Sequence, residues 1–112
     1  SKAMRVIVLR TLRQSGLQID EVFEAEDGAA ALAAVQSFVP DLIMSDWNMP
    51  NMTGIEFLHN LRASGNQTTF GFVTSESNPA MKEQAIAGGA AFLLTKPFDA
   101  ERLAEVVGAV VG

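Results

Sequence analysis

Apolar and polar positions along the chain switch repeatedly between a helical and an extended rhythm. From Lys2 to Gln14, Met4, Ile7, Val8 and Leu12 share one face of a 3.6-residue turn, with Arg5, Arg10 and Arg13 elsewhere; Ser1 stands where a cap belongs and Gly16 ends the run. Val22 to Ala25 reads as a short strand. Asp27-Gly28 opens a second helix in which Leu32, Val35 and Phe38 recur at helical spacing, and Pro40 enforces its stop. Leu42 to Met44 is a brief apolar run, the pattern of a strand buried on both faces, and it closes through Ser45 at an acid, Asp46. A loop punctuated by Asn48, Pro50, Asn51 and Gly54 follows. The third helix runs from Gly54 to Ala63 with Ile55, Leu58 and Leu61 inward, and Ser64-Gly65-Asn66 turns the chain. Phe70 to Thr74 is a strand, Pro79 starts a fourth helix that ends at Gly88-Gly89, and Ala91 to Thr95 is the last strand. After Lys96-Pro97-Phe98, Asp99 caps a final helix that turns Leu103, Val106, Val107 and Val110 inward.

The resulting order is αβαβαβαβα. Strands separated by helices join through right-handed crossovers, so the pattern predicts a parallel sheet with helices on both faces. In such sheets ligands gather outside the carboxyl ends of the strands. Asp46, Thr74 and Lys96 each stand at or just past such an end, which places a carboxylate, a hydroxyl and an ammonium along one edge. That trio suits an anion built on Asp46, because phosphoryl transfer is mostly positioning plus charge neutralisation and a lysine serves phosphate as a point charge.

Composition narrows the classes without choosing among them. The chain has 112 residues, enough for one domain with a core, and 48% hydrophobic against 19% charged residues excludes disorder. A formal net charge of −5 argues against non-specific nucleic-acid or membrane binding. Cysteine is absent, so no disulfide framework or thiolate metal site is available. No membrane-length apolar run and no leader pattern occur, and a cytoplasmic location is expected. Neither GxGxxG nor GxxxxGK[ST] is present. His59 reads as a helix-surface residue, and Met44, Met49 and Met52 read as core and loop filling.

One stretch narrows the classes further. Ser45-Asp46-Trp47-Asn48-Met49-Pro50-Asn51-Met52-Thr53-Gly54, with Thr74-Ser75-Glu76, Lys96-Pro97-Phe98 and Glu24-Ala25-Glu26-Asp27-Gly28, resembles the receiver domains of two-component response regulators, and among them the stand-alone chemotaxis type. The resemblance covers essentially the whole chain. It implies a flavodoxin-like doubly wound fold of strand order 2-1-3-4-5, and a phospho-accepting signalling switch in place of a turnover enzyme. On it, Asp46 takes a phosphoryl group from a sensor histidine kinase, and Asn48 offers its backbone carbonyl to Mg²⁺. Thr74 bonds the phosphoryl group and draws its loop inward, and Lys96 neutralises a phosphoryl oxygen. Glu76, Leu93 and Pro97 occupy switch or output positions, and a downstream protein such as the flagellar motor switch binds the face from about Pro79 to Val111.

The sequence departs from that family in two places. A receiver carries a first strand ending in two acids just before a helix like Ser1-Lys2-Ala3-Met4-Arg5, and this chain opens on the helix. The expectation is an N-terminally truncated receiver over 1–112 with four strands and five helices. Asp46 would be its only evident carboxylate for Mg²⁺, with weakened affinity, and the empty central slot could be filled by strand or segment exchange in a homodimer. The second departure is Leu93, where the family often has an aromatic ring; Phe92 beside it points to the opposite face. Three other readings compete. A degenerate receiver would act as a phosphorylation-independent binding module. An aspartyl-phosphate phosphatase needs a second acid where Asn48 stands, and a flavin-mononucleotide binder needs a Ser/Thr-rich phosphate loop.

Overall fold

Side chains at the loop ends start the helices where the sequence places them. In a computed structural model of the chain, the described residues are 2–14, 16, 27–37, 40–48, 52–75, 78–95 and 98–111. Asp27 Oδ1 accepts from the Ala30 amide at 2.8 Å, Asn78 Oδ1 from the Met81 amide at 2.9 Å, and Asp99 Oδ1 from the Arg102 amide at 2.8 Å. Each satisfies an amide that the first helical turn leaves without a partner. The elements are α1 (Lys2–Gln14), α2 (Gly28–Ala34), β1 (Leu42–Asp46), α3 (Gly54–Ala63), β2 (Thr69–Thr74), α4 (Pro79–Ala87), β3 (Phe92–Thr95) and α5 (Ala100–Val111).

All strand pairing among them is parallel, in the order β1-β2-β3. Two cores cover the two faces of this sheet. One gathers Phe57, Leu58 and Leu61 of α3, Phe70 and Phe72 of β2, and Ala85 of α4, with Leu32 and Val35 against it. The other gathers Leu94, Leu103 and Val107, with Leu12 of α1 and Leu42, Met44 and Phe92 of the sheet against it. Helices therefore lie on both faces, as the alternation of strand and helix predicts. Rings of Phe57, Phe70 and Phe72 pack in sequence at centroid distances of 5.4 and 5.0 Å, tilted or edge-on. Burying each such ring contributes about 1.5–3 kcal/mol by area.

Several boundaries and burials differ from expectation. α2 stops at Ala34, well short of Pro40, and the Gln36 and Ser37 amides donate to Ala33 and Ala34 carbonyls in a tightened last turn. The next apolar position expected in it, Phe38, lies outside the described residues. The strand expected over Val22–Ala25 also lies outside them, and the described sheet has three strands. Leu42 to Met44, expected to be buried on both faces, is half-buried; the fully enclosed strand is β2, because it alone is flanked on both edges within the described sheet.

Gly71 shows how tightly that central strand is packed. It pairs in register with Phe92, and a Cβ built on Gly71 would sit inside the Phe92 ring. Gly71→Ala is expected to destabilise the domain by about 1–3 kcal/mol, the range for overpacking a core. Adding Phe92→Leu should return part of that loss, which a double-mutant cycle in urea reads as coupling; strict additivity would show that the ring does not occupy that space.

Candidate functional site

The β1–α3 connection is built from the outside in. Thr53 caps α3: its Oγ1 accepts from the Glu56 amide at 3.3 Å, while Glu56 Oε1 accepts from the Thr53 amide at 3.1 Å and from the Thr53 hydroxyl at 2.9 Å. This reciprocal cap satisfies two otherwise orphaned amides and fixes the helix start. The bonds from the Thr53 amide and hydroxyl hold the Glu56 carboxyl below its usual range.

Gly54, the first residue of α3, then meets the strand end. Its N–H donates to the Trp47 carbonyl at 2.9 Å. A Cβ at this position would overlap the Asp46 carbonyl oxygen and come within 2.8 Å of Phe72 Cε1. Glycine is required here by close approach of one backbone to another, and not by a turn conformation. Trp47 is half-buried, with its ring 4.9 Å from that of Phe72 and tilted by 55°. Ser45 is 6% exposed, and its hydroxyl donates to the Asp46 carbonyl at 2.9 Å.

Strand register sets the rest of the site. Asp46 lies opposite Val73, so Thr74 stands one residue further along β2, and Thr95 lies opposite Thr74. The strands thus end with Asp46, Thr74 and Thr95 along the carboxyl edge of one parallel sheet. Asp46 is half-buried and Thr74 is 1% exposed. Asn48 is exposed after β1, and Asp27 caps α2. Glu76, Lys96 and Pro97 lie outside the described residues. Leu93 packs against the α3 core and Phe92 against the α5 core, the opposite facing that alternation predicts. His59 is exposed on α3.

A half-buried carboxylate thus stands beside a buried hydroxyl one residue beyond it on the next strand. The match to known families is with the response regulator receiver domain, over residues 1–108. The chain belongs to that family. It is 36% identical over 104 residues to the probable transcriptional regulatory protein NarL of Mycobacterium tuberculosis, covering 93% of this chain and 46% of that protein. It is 32% identical over 104 residues to the chemotaxis protein CheY of Bacillus subtilis, covering 93% and 85%. The solved structure of Vibrio cholerae chemotaxis protein CheY4 superposes with a TM-score of 0.85 at 38% identity, covering 98% of this chain and 91% of that one. This chain thus spans about half the length of the NarL relatives it matches. The receiver domain is of the CheY type, and its α/β fold with a parallel sheet and five helices is that of the family.

Receiver domains generally bind Mg²⁺. Among the described residues no three His, Cys, Asp or Glu side chains gather to hold a metal. Mg²⁺ keeps several waters and takes one or two carboxylates together with phosphate oxygens. One carboxylate, Asp46, with the exposed loop at Asn48, fits such a largely hydrated ion. No described helix is long and apolar enough to cross a membrane.

Sequence reasoning named Asp46 and Thr74 and missed Ser45 and Gly54, which lie against the Asp46 carbonyl. Ser45 passed as the last residue of a strand, and Gly54 as a turn or cap. The polar residue interrupting an apolar strand was the available signal for Ser45; no local signal distinguishes a glycine needed for close approach.

Two outcomes follow for this loop. Gly54→Ala is expected to destabilise by about 2 kcal/mol or more and to shift Trp47 emission, since the overlapped atom is backbone and cannot rotate away. Glu56 carries a lowered carboxyl pKa, so its stabilisation is present above the unfolded carboxylate pKa and is lost as pH falls through the folded value. Protection of the Thr53 amide, its exchange taken relative to the intrinsic rate at each pH, should accordingly fall in acid, and in Glu56→Gln this pH dependence of protection should disappear.

Proposed function

We propose that this receiver domain is a phospho-accepting switch in which Asp46 is the acceptor. The observation that carries the reading is the register: it sets the half-buried Asp46 and the buried Thr74 on adjacent parallel strands at the sheet's carboxyl edge. A carboxylate oxygen of Asp46 attacks the phosphorus of a kinase phosphohistidine. The P–N bond breaks, its electron pair stays on the imidazole, and an acyl phosphate forms on Asp46. Thr74, whose hydroxyl is buried, donates to one phosphoryl oxygen, and Lys96 supplies a positive charge to another. Asp46 and the Asn48 carbonyl would hold Mg²⁺, which when bound neutralises charge on the transferring group. Movement of Thr74 toward the phosphoryl group is passed to Leu93, Pro97 and Glu76, which bias a two-state equilibrium of the output face.

That face comprises α4, β3 and α5. Ile86 of α4 is 61% exposed, a large apolar side chain available to a partner. Similarity to two chemotaxis proteins supports a protein partner of the chemotaxis kind, such as the flagellar motor switch, with a sensor histidine kinase upstream. A cytoplasmic location follows from that donor.

The test uses acetyl phosphate and Mg²⁺ as donor and metal, read by intact mass and Trp47 fluorescence. The chain should gain one phosphoryl group and change its emission. Asp46→Asn should gain none, and Thr74→Ala should accept the group without the emission change. Incorporation that survives Asp46→Asn would remove Asp46 from its role, and no incorporation in the unaltered chain would favour a phosphorylation-independent binding module.

A further inference from the structure

Ser45 is an expensive residue at its position unless its hydroxyl has work to do. By strand alternation it shares a face with Ile43 and Trp47, both packed against the α3 core. It is 6% exposed, and one of two buried polar side chains among the described residues, the other being Thr74. Burying a hydroxyl is unfavourable unless it is bonded, whereas alanine or valine would fill a strand site on this face without that requirement.

The hydroxyl makes a local bond. It donates to the carbonyl of the very next residue, Asp46, at 2.9 Å. That carbonyl belongs to the peptide plane between Asp46 and Trp47, so holding it fixes the backbone rotation that follows the Asp46 α-carbon. The next plane is held too, because the Trp47 carbonyl accepts from the Gly54 amide at 2.9 Å. Gly54 closes the far side of the Asp46 carbonyl, where even a methyl group would overlap it. Two successive peptide planes leaving Asp46 are thus set from outside, one by Ser45 and one by α3.

We infer that Ser45 is a positioning residue for phosphoryl transfer: through the Asp46 carbonyl it locks the backbone on which the acceptor carboxylate and the Asn48 carbonyl are carried. This rests on the reading of Asp46 as the acceptor. Ser45 touches neither donor nor metal, and it acts by restricting the orientations from which Asp46 can meet a phosphorus in line. Orientation of this kind enters the rate directly, since misplacing a reacting group slows transfer without changing its chemistry.

Threonine and valine are nearly the same shape and differ here by the hydroxyl, so they separate the bond from the packing. With acetyl phosphate and excess Mg²⁺, Ser45→Val and Ser45→Ala should take up phosphoryl groups about three- to tenfold more slowly, the factor expected for one hydrogen bond. Ser45→Thr should stay within about twofold of the unaltered chain. A second readout needs no phosphorylation: the Asp46 carbonyl carbon resonance should move upfield in Ser45→Ala and Ser45→Val and hold its place in Ser45→Thr. Valine at the unaltered rate, or threonine as slow as valine, overturns the inference. If the unaltered chain accepts no phosphoryl group, the acceptor reading fails and the inference about transfer fails with it; the carbonyl resonance then still shows separately whether the bond exists.

Discussion

The amino end of α3 lies directly on the backbone of Asp46, and the rest of the site depends on that approach. It requires a residue without a side chain at Gly54, and the Gly54 amide then reaches the Trp47 carbonyl. The helix can start there because the reciprocal cap of Thr53 and Glu56 replaces the bonds its first turn lacks. Its orientation is fixed further down by Phe57, Leu58 and Leu61, all buried against β2. A local cap, a missing side chain and a buried apolar face therefore act together where α3 meets the end of β1 at Asp46.

Rigidity and responsiveness are divided between different parts of the fold. Phe70 and Phe72 hold β2 in the middle of the sheet, and the Phe72 ring continues to Trp47 beside the site. The opposite end of the sheet is tied by Arg62 of α3, whose guanidinium donates to the Asn66 carbonyl at 2.9 Å and the Gly89 carbonyl at 3.1 Å. In contrast, α4 contributes a single buried residue, Ala85, to the core and leaves Ile86 in solvent. An element held by so little apolar contact is the one whose position can change at low free-energy cost. The proposed switch would use this asymmetry, a closely packed carboxyl edge beside a lightly packed helix.

Much of this was legible from particular residues. The ends of α1 and α3, the caps at Asp27 and Asp99, and the strands ending at Thr74 and Thr95 follow from periodicity and punctuation that act within a few residues. The opposite facing of Phe92 and Leu93 follows from the two-residue period of a strand. The early stop of α2 was not legible, because the apolar spacing continues past Ala34 through Val35 to Phe38 and no glycine or proline stands before Pro40. Nor was the half-burial of Leu42 to Met44: an apolar run reads the same whether its strand is fully or partly covered, and only its neighbours in space distinguish the two.

By itself, then, the sequence determined which of the described elements form, their parallel arrangement, and that an acid and a hydroxyl end neighbouring strands, since each of these depends on short-range pattern and on the handedness of crossovers. The tertiary structure alone decided what touches the backbone of Asp46. Gly54 opposes its carbonyl from another element, Gly71 yields its space to the ring of Phe92 on the next strand, and the Ser45 hydroxyl turns toward Asp46 inside a packed face. Those contacts join residues by distance through space and by the direction of a single bond, and neither quantity is written in the order of the chain.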